Sequence, residues 1–114
     1  MQFGFLMKVK SAHKPIRPKY NPKPNARELR HHRRLQELPC IACGGAGGVF
    51  HHLLTSCPEK RWRRDHELGL PMCNDCHCAL HADGNERKWC ERAGFDPVME
   101  AVFLRNESIY EGIL

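Results

Sequence analysis

The pattern of hydrophobic and polar positions changes character several times along this chain. An apolar opening, Met1-Gln2-Phe3-Gly4-Phe5-Leu6-Met7, gives way to residues 8–24, where four of the eight prolines sit among Lys and Arg. Proline at that density forbids a helix and favours extended chain. Residues 1–24 are therefore expected to be a basic, Pro-rich flexible arm, and residues 25–114 the folded domain. Asn25, with Glu28 three residues on, predicts a helix start that runs to about Leu38, where Pro39 stops it. Its apolar face (Leu29, Leu35, Leu38) is thin, and Arg27, Arg30, Arg33 and Arg34 crowd the rest, which predicts a surface helix offering a cationic face.

Gly44-Gly45 and Gly47-Gly48 are turn formers, and Val49 to Leu54 has the composition of a short strand. A polar loop over 55–67 follows, and Leu68 to Met72 leads into a cysteine pair. Asn74 to His81 reads as a helix broken by Asp83-Gly84-Asn85, and Glu86 to Ala93 as another, stopped by Gly94. Asp96-Pro97 supplies an N-cap and a first-turn proline to a last helix expected to bury Val98, Met99, Val102 and Phe103. The elements predict a small α+β domain.

Length and cysteine usage sharpen this picture. A chain of 114 residues has little room for a large core, and a fold this size usually needs a staple. Cys40-Ile41-Ala42-Cys43 and Cys73-Asn74-Asp75-Cys76 are two CxxC pairs separated by 29 residues. Each CxxC turn presents two sulfurs, so two turns close a tetrahedral four-cysteine zinc site. Spacing alone also admits an iron–sulfur cluster. Cys57, Cys78 and Cys90 have no CxxC partner, although Cys78 lies near enough in sequence to substitute as a ligand. The odd cysteine count argues against a secreted disulfide framework. The opening run is too short for a signal-peptide core, and no stretch approaches membrane-spanning length. A soluble, cytoplasmic protein without a membrane partner is expected.

Charge is unevenly placed. Residues 1–39 carry ten Lys/Arg against two acidic residues, while residues 40–114 carry eight against eleven. A basic arm ahead of a neutral-to-acidic body suggests a phosphate-seeking tether; a solubilising tail is the plainer alternative. Lys19 and Lys23 in the arm, Arg27, Arg30, Arg33 and Arg34 in the first helix, and Lys60-Arg61-Trp62-Arg63-Arg64 in the polar loop are the candidate nucleic-acid contacts. Cations around an aromatic suit phosphate contact plus base stacking, and the alternative is a solvated loop with Trp62 tucked into the body. Nothing in the sequence resembles base-edge readout, so weak sequence specificity is expected.

The histidines carry the chemistry. His51 and His52 lie on the predicted strand, and His77 and His81 share one face of the predicted helix, one turn apart. A zinc site that pins strand against helix would converge the two pairs. Histidines gathered on one cation can hydrolyse a phosphodiester, with one uncoordinated imidazole taking the proton from water. Neighbours on a strand point to opposite faces, so His51 and His52 are expected to divide the work of ligand and base.

The combination Cys40-x2-Cys43, Val49-Phe50-His51-His52 and Leu70-Pro71-Met72-Cys73-x2-Cys76-His77-x3-His81, followed by Ala82-Asp83-Gly84-Asn85-Glu86-Arg87-Lys88-Trp89, resembles the zinc-bearing HNH endonucleases over about residues 36–95. More narrowly it is similar to the phage recombination-enhancement, RecA-dependent nuclease group. The resemblance implies a ββα-metal fold and cleavage of DNA with a divalent ion such as Mg²⁺. It implies His52 as general base and His51, His77 and His81 as ligands of the catalytic ion. The middle position of the motif departs from the family's usual Asn or His, and Asp65 or His66 is its nearest candidate; the usual task there is to orient the base or order the loop. DNA, and through the family a RecA-type filament, are the implied partners, with a monomer expected. A non-catalytic zinc module that binds nucleic acid is the competing reading, and an RNA endonuclease on the same fold a third.

Overall fold

A computed structural model describes residues 22–114; Lys19 and the arm before Pro22 lie outside them. The element order is α1 (Ala26–Gln36), β1 (Val49–His52), β2 (Gly69–Met72), α2 (Asn74–Asp83), α3 (Glu86–Ala93) and α4 (Pro97–Tyr110). This is a small α+β arrangement, with four helices around a two-stranded antiparallel sheet among the described residues. None of those helices is long and apolar enough to cross a membrane.

The sheet sets the register of everything that follows. Val49 pairs with Met72, Phe50 with Pro71, His51 with Leu70 and His52 with Gly69. Gly69 is required there by packing, because a Cβ would collide with the Phe50 ring and the His51 carbonyl. The core is thin: Leu53, Leu68, Leu70, Met72, Leu80 and Ala101 are its buried members, with Cys40 and Cys90 beside them. Leu70 and Met72 of β2 share this core with Ala101 of α4, which packs against β2, and Leu80 brings in α2.

Helix boundaries follow local chemistry closely. The Asn25 side chain accepts from the Glu28 amide, and the Glu28 carboxylate accepts from the Asn25 amide, both at 2.8 Å. This reciprocal cap satisfies two amides the helix leaves open. Gly84 and Gly94 end α2 and α3 in left-handed conformation, at φ 84° and 102°, where glycine carries no Cβ penalty. Asp96 caps α4 through the Val98 and Met99 amides.

Two expectations hold only in part on which face is buried. The first helix does present Arg27, Arg30 and Arg33 to solvent, but of Leu29, Leu35 and Leu38 it buries Leu35 alone. Its buried residues are His31, His32 and Leu35, while Leu29 is exposed. Histidine counts as polar in a periodicity reading, but these rings are partnered inside the fold. His31 Nε2 donates to the Glu67 carbonyl (3.0 Å) and its Nδ1 accepts from the Ser108 hydroxyl (2.7 Å). Arg34 is drawn in with them and donates to Ser108, Glu107 and the Leu104 carbonyl. The last helix buries Pro97, Ala101, Leu104 and Ser108 and packs half-buried Val98 and Val102 against the core as expected, whereas Met99 and Phe103 are exposed. Its apolar residues offer two faces, and the hydrogen bonds from α1 to Ser108 select the one that turns inward.

Candidate functional site

The chain converges its two CxxC turns first. The first knuckle is pinned to the sheet by Ile41 N donating to the Pro71 carbonyl, and closed by Gly44 N to Cys40 O and Cys40 N to Gly45 O. The other knuckle is the start of α2, where Cys73 is the N-cap and its sulfur accepts from the Cys76 amide. Cys40, Cys43, Cys73 and Cys76 then lie with their sulfurs within 4.8 Å of one another, and none is in a disulfide. Cys43 and Cys73 sulfurs are 3.8 Å apart, about the edge of a tetrahedron with ~2.3 Å zinc–sulfur arms. Burial opposes ionisation of Cys40, yet amide hydrogen bonds at Cys43, Cys73 and Ala42 hold its thiol down to about 6. Burial and the neighbouring Cys73, Cys40 and Cys43 push Cys76 strongly up. Four thiolates crowded this closely need a cation to coexist, and a divalent metal such as zinc fits. Cys57, Cys78 and Cys90 stand outside the group, Cys78 exposed and Cys90 in the core.

This four-sulfur framework holds β1 against α2, and the two neighbours on β1 go separate ways. His51 is buried and meets His77 and His81; each offers a ring nitrogen within 4.8 Å of the others. Their ring centres are 4.5 to 5.4 Å apart, close to the ~5 Å expected for imidazoles placed tetrahedrally about an ion at ~2.1 Å. His77 Nε2 and His81 Nε2 face each other at 3.1 Å.

Glu86 completes this arrangement. Its carboxylate accepts from His51 Nε2 at 2.6 Å, from the Leu54 and Thr55 amides, and from the Thr55 hydroxyl. Burial opposes its ionisation, but those bonds win and hold its carboxyl down to about 2. With Nε2–H committed to Glu86, the lone pair of His51 sits on Nδ1, which is buried and has no hydrogen-bond partner among the described residues. A buried imidazole lone pair without a donor, beside two further imidazoles, is the arrangement expected of a metal ligand.

His52 turns to a different set. Its Nε2 lies 3.0 Å from His66 Nδ1, and His66 Nε2 donates to the Pro22 carbonyl at 2.6 Å. His32, brought in by α1, stacks on Phe50 with ring centres 3.8 Å apart and donates its Nε2–H to the His66 carbonyl at 2.7 Å. Burial pulls His52 down to about 4, and His66, His32 and Arg64 add to the shift. His52 also lines an open cleft of about 720 Å³ with Leu54, Ser56, Cys57, Lys60, Trp62, Arg63 and Arg64.

The candidate middle residues separate cleanly. Asp65 is buried and fully engaged, accepting from the Arg61 amide and guanidinium and from the Glu67 amide. It belongs to none of the three metal-capable groups found among the described residues. His66 makes the contact with His52. Among the candidate nucleic-acid residues, Arg61 is spent on Asp65 and Glu67, Arg34 on α4, and Arg27 on the Leu114 carbonyl. Lys23, Arg30, Arg33, Arg63 and Arg64 are exposed, and Lys60 reaches the Leu54 carbonyl beside the cleft. Sequence reading missed His32 and Glu86. By sequence, His32 is one more polar residue in a charged helix. Glu86 is an ordinary first-turn acid.

Set against known proteins, the chain matches no family model, no curated protein and no solved structure.

Proposed function

We propose that this protein is a metal-dependent DNA endonuclease of the HNH type, hydrolysing phosphodiester bonds with little sequence preference. One observation carries the reading: His51 and His52, adjacent on β1, divide between a three-histidine group fit for an ion and a half-buried histidine that lines a basic cleft. Because three imidazoles suit transition metals better than Mg²⁺, His51, His77 and His81 would hold a divalent ion of that kind. Bound there, it would neutralise charge on a phosphate oxygen and on the leaving 3′-oxygen.

The chain's own residues do the rest. A carbonyl only accepts, so His66 carries its proton on Nε2 toward Pro22 and offers a lone pair at Nδ1. His52 therefore donates from Nε2 to His66, and its own Nδ1 keeps the lone pair that takes a proton from water. As His52 gains that proton, its bond to His66 strengthens. The low proton affinity of His52 keeps it neutral, and so competent, at physiological pH. Exposed Arg63 and Arg64, with Lys60 and Trp62 on the cleft wall, suit a phosphate backbone and a stacked base. The resemblance of the motifs to the phage recombination-enhancement group makes a RecA-coated strand a natural substrate context.

The deciding experiment incubates wild type beside His52→Ala with supercoiled and single-stranded DNA, Mg²⁺ or Mn²⁺, and an EDTA control. Metal-dependent cutting by wild type alone is expected. Tight, salt-sensitive DNA binding without product, with and without RecA, would instead point to a non-catalytic zinc module. An RNA substrate run alongside separates the ribonuclease variant.

A further inference from the structure

The histidines on the other face of β1 form another group with the attributes of a metal site. His32, His52 and His66 come from α1, β1 and the loop before β2, and each offers a ring nitrogen within 4.8 Å of the others. Their ring centres are 5.1 to 5.9 Å apart, a slightly wider spacing than in the His51, His77 and His81 set. Two of the three have one ring nitrogen committed to a backbone carbonyl: His32 Nε2 to His66 and His66 Nε2 to Pro22. Metal-bound imidazoles are held this way, because the outer hydrogen bond fixes the tautomer and the ring. His32 and His66 are buried, while His52 borders the open cleft, which leaves a path for an ion and a fourth ligand.

We propose that His32, His52 and His66 bind a further transition-metal ion of the Zn²⁺ class. An all-imidazole set favours such ions over Mg²⁺, which prefers oxygen. The two three-histidine groups lie on opposite faces of one strand, so this ion does not assist the one at His51. It excludes the base instead. Coordination through His52 Nε2 moves that nitrogen's proton to Nδ1, and the imidazole has no lone pair left for water. Filling of this site is then an off-switch for the activity that the ion at His51 supports; this consequence rests on the nuclease reading, whereas the metal site itself does not.

The test counts metal directly. Full-length protein with its four-cysteine site loaded with zinc is titrated with Co²⁺, followed by visible absorption and bound-metal analysis, in wild type, His32→Gln, His66→Gln and His77→Gln. The His32 and His66 variants should each lose one equivalent, and His77→Gln a different one, so that the His32/His77 double variant loses both. Imidazole ¹H–¹⁵N spectra of the unaltered protein should show zinc shifting His32, His52 and His66 together, which needs no variant to fold. Unmoved His32 and His66 resonances at saturating zinc, or full Co²⁺ stoichiometry in both folded variants, overturn the proposal. In cleavage supported by the ion at His51, added zinc should inhibit wild type in step with the shifts of the His32 and His66 resonances. If the protein cuts no DNA, the metal count still decides the site.

Discussion

His51 and His52 are chemically identical neighbours, and the difference between their surroundings gives them different chemistry. His51 is braced by a buried carboxylate, Glu86, at 2.6 Å. That anion fixes the Nε2 proton, enriches the ring and leaves a buried lone pair beside His77 and His81. His52 is braced by another imidazole, and burial first, then His66, His32 and Arg64, pull its ring down to about 4. An anion behind an imidazole makes a ligand for a cation. A cationic and desolvated setting behind the same ring keeps an unprotonated base. Strand alternation creates the two settings, and the helices packed on either side fill them.

The strongest way to break this division is to remove the framework that holds β1 against α2. Stripping zinc with a strong chelator, or pairing Cys40→Ser with Cys73→Ser, should abolish cooperative unfolding by circular dichroism, since a core this small leans on its metal. A cooperative melt that survives full metal removal would mean that the four cysteines are dispensable for folding.

Next in size is the loss on the His52 side. His52→Ala should reduce cleavage by ~10²–10⁴-fold while total bound metal at the cysteine and His51 sites is unchanged. The wild-type rate should hold through pH 6 and decline only as pH falls toward about 4, where His52 takes up its proton. A break near 6.5, the ordinary imidazole value, would remove His52 from the base role.

On the His51 side, Glu86→Gln should weaken Co²⁺ or Mn²⁺ binding at the His51, His77 and His81 group by about 10- to 100-fold, leaving the acid limb of the cleavage profile where it was. Equal affinity in the variant would reduce Glu86 to a clasp for Leu54 and Thr55.

The smallest effect is on acid stability, and it belongs to the buried-imidazole side. His31 and His52 are both held down to about 4, burial being the main cause in each. Between about 6.5 and 4 the unfolded chain therefore binds more protons than the folded one, and stability is lost as pH falls through that window. Lowering the pH from 7 to 5 should depress Tm by ~5 °C or more, and His31→Gln should flatten the slope. Glu86 has the same direction in a lower window: its contribution is full above about 4.5 and fades toward about 2.

Local elements were readable because their causes are local. The Asn25 and Glu28 cap, the Gly84 and Gly94 stops and the Asp96-Pro97 start involve groups a few residues apart, and the helices begin or end at those signals. The buried faces of α1 and α4 were not readable, because His31 and Ser108 lie 77 residues apart and only their meeting makes either one an interior residue. Glu86 is the same case: a first-turn acid by sequence, and a partner of His51 only across 35 residues of chain.

By itself, then, the sequence determined the two cysteine knuckles, the short elements between them and the alternation that parts His51 from His52. Those are matters of spacing and backbone geometry. Only the tertiary structure decided what stands behind each imidazole, and hence which nitrogen keeps its lone pair. Proton placement depends on partners within about 3 Å, and such partners are supplied by segments that sequence order keeps far apart.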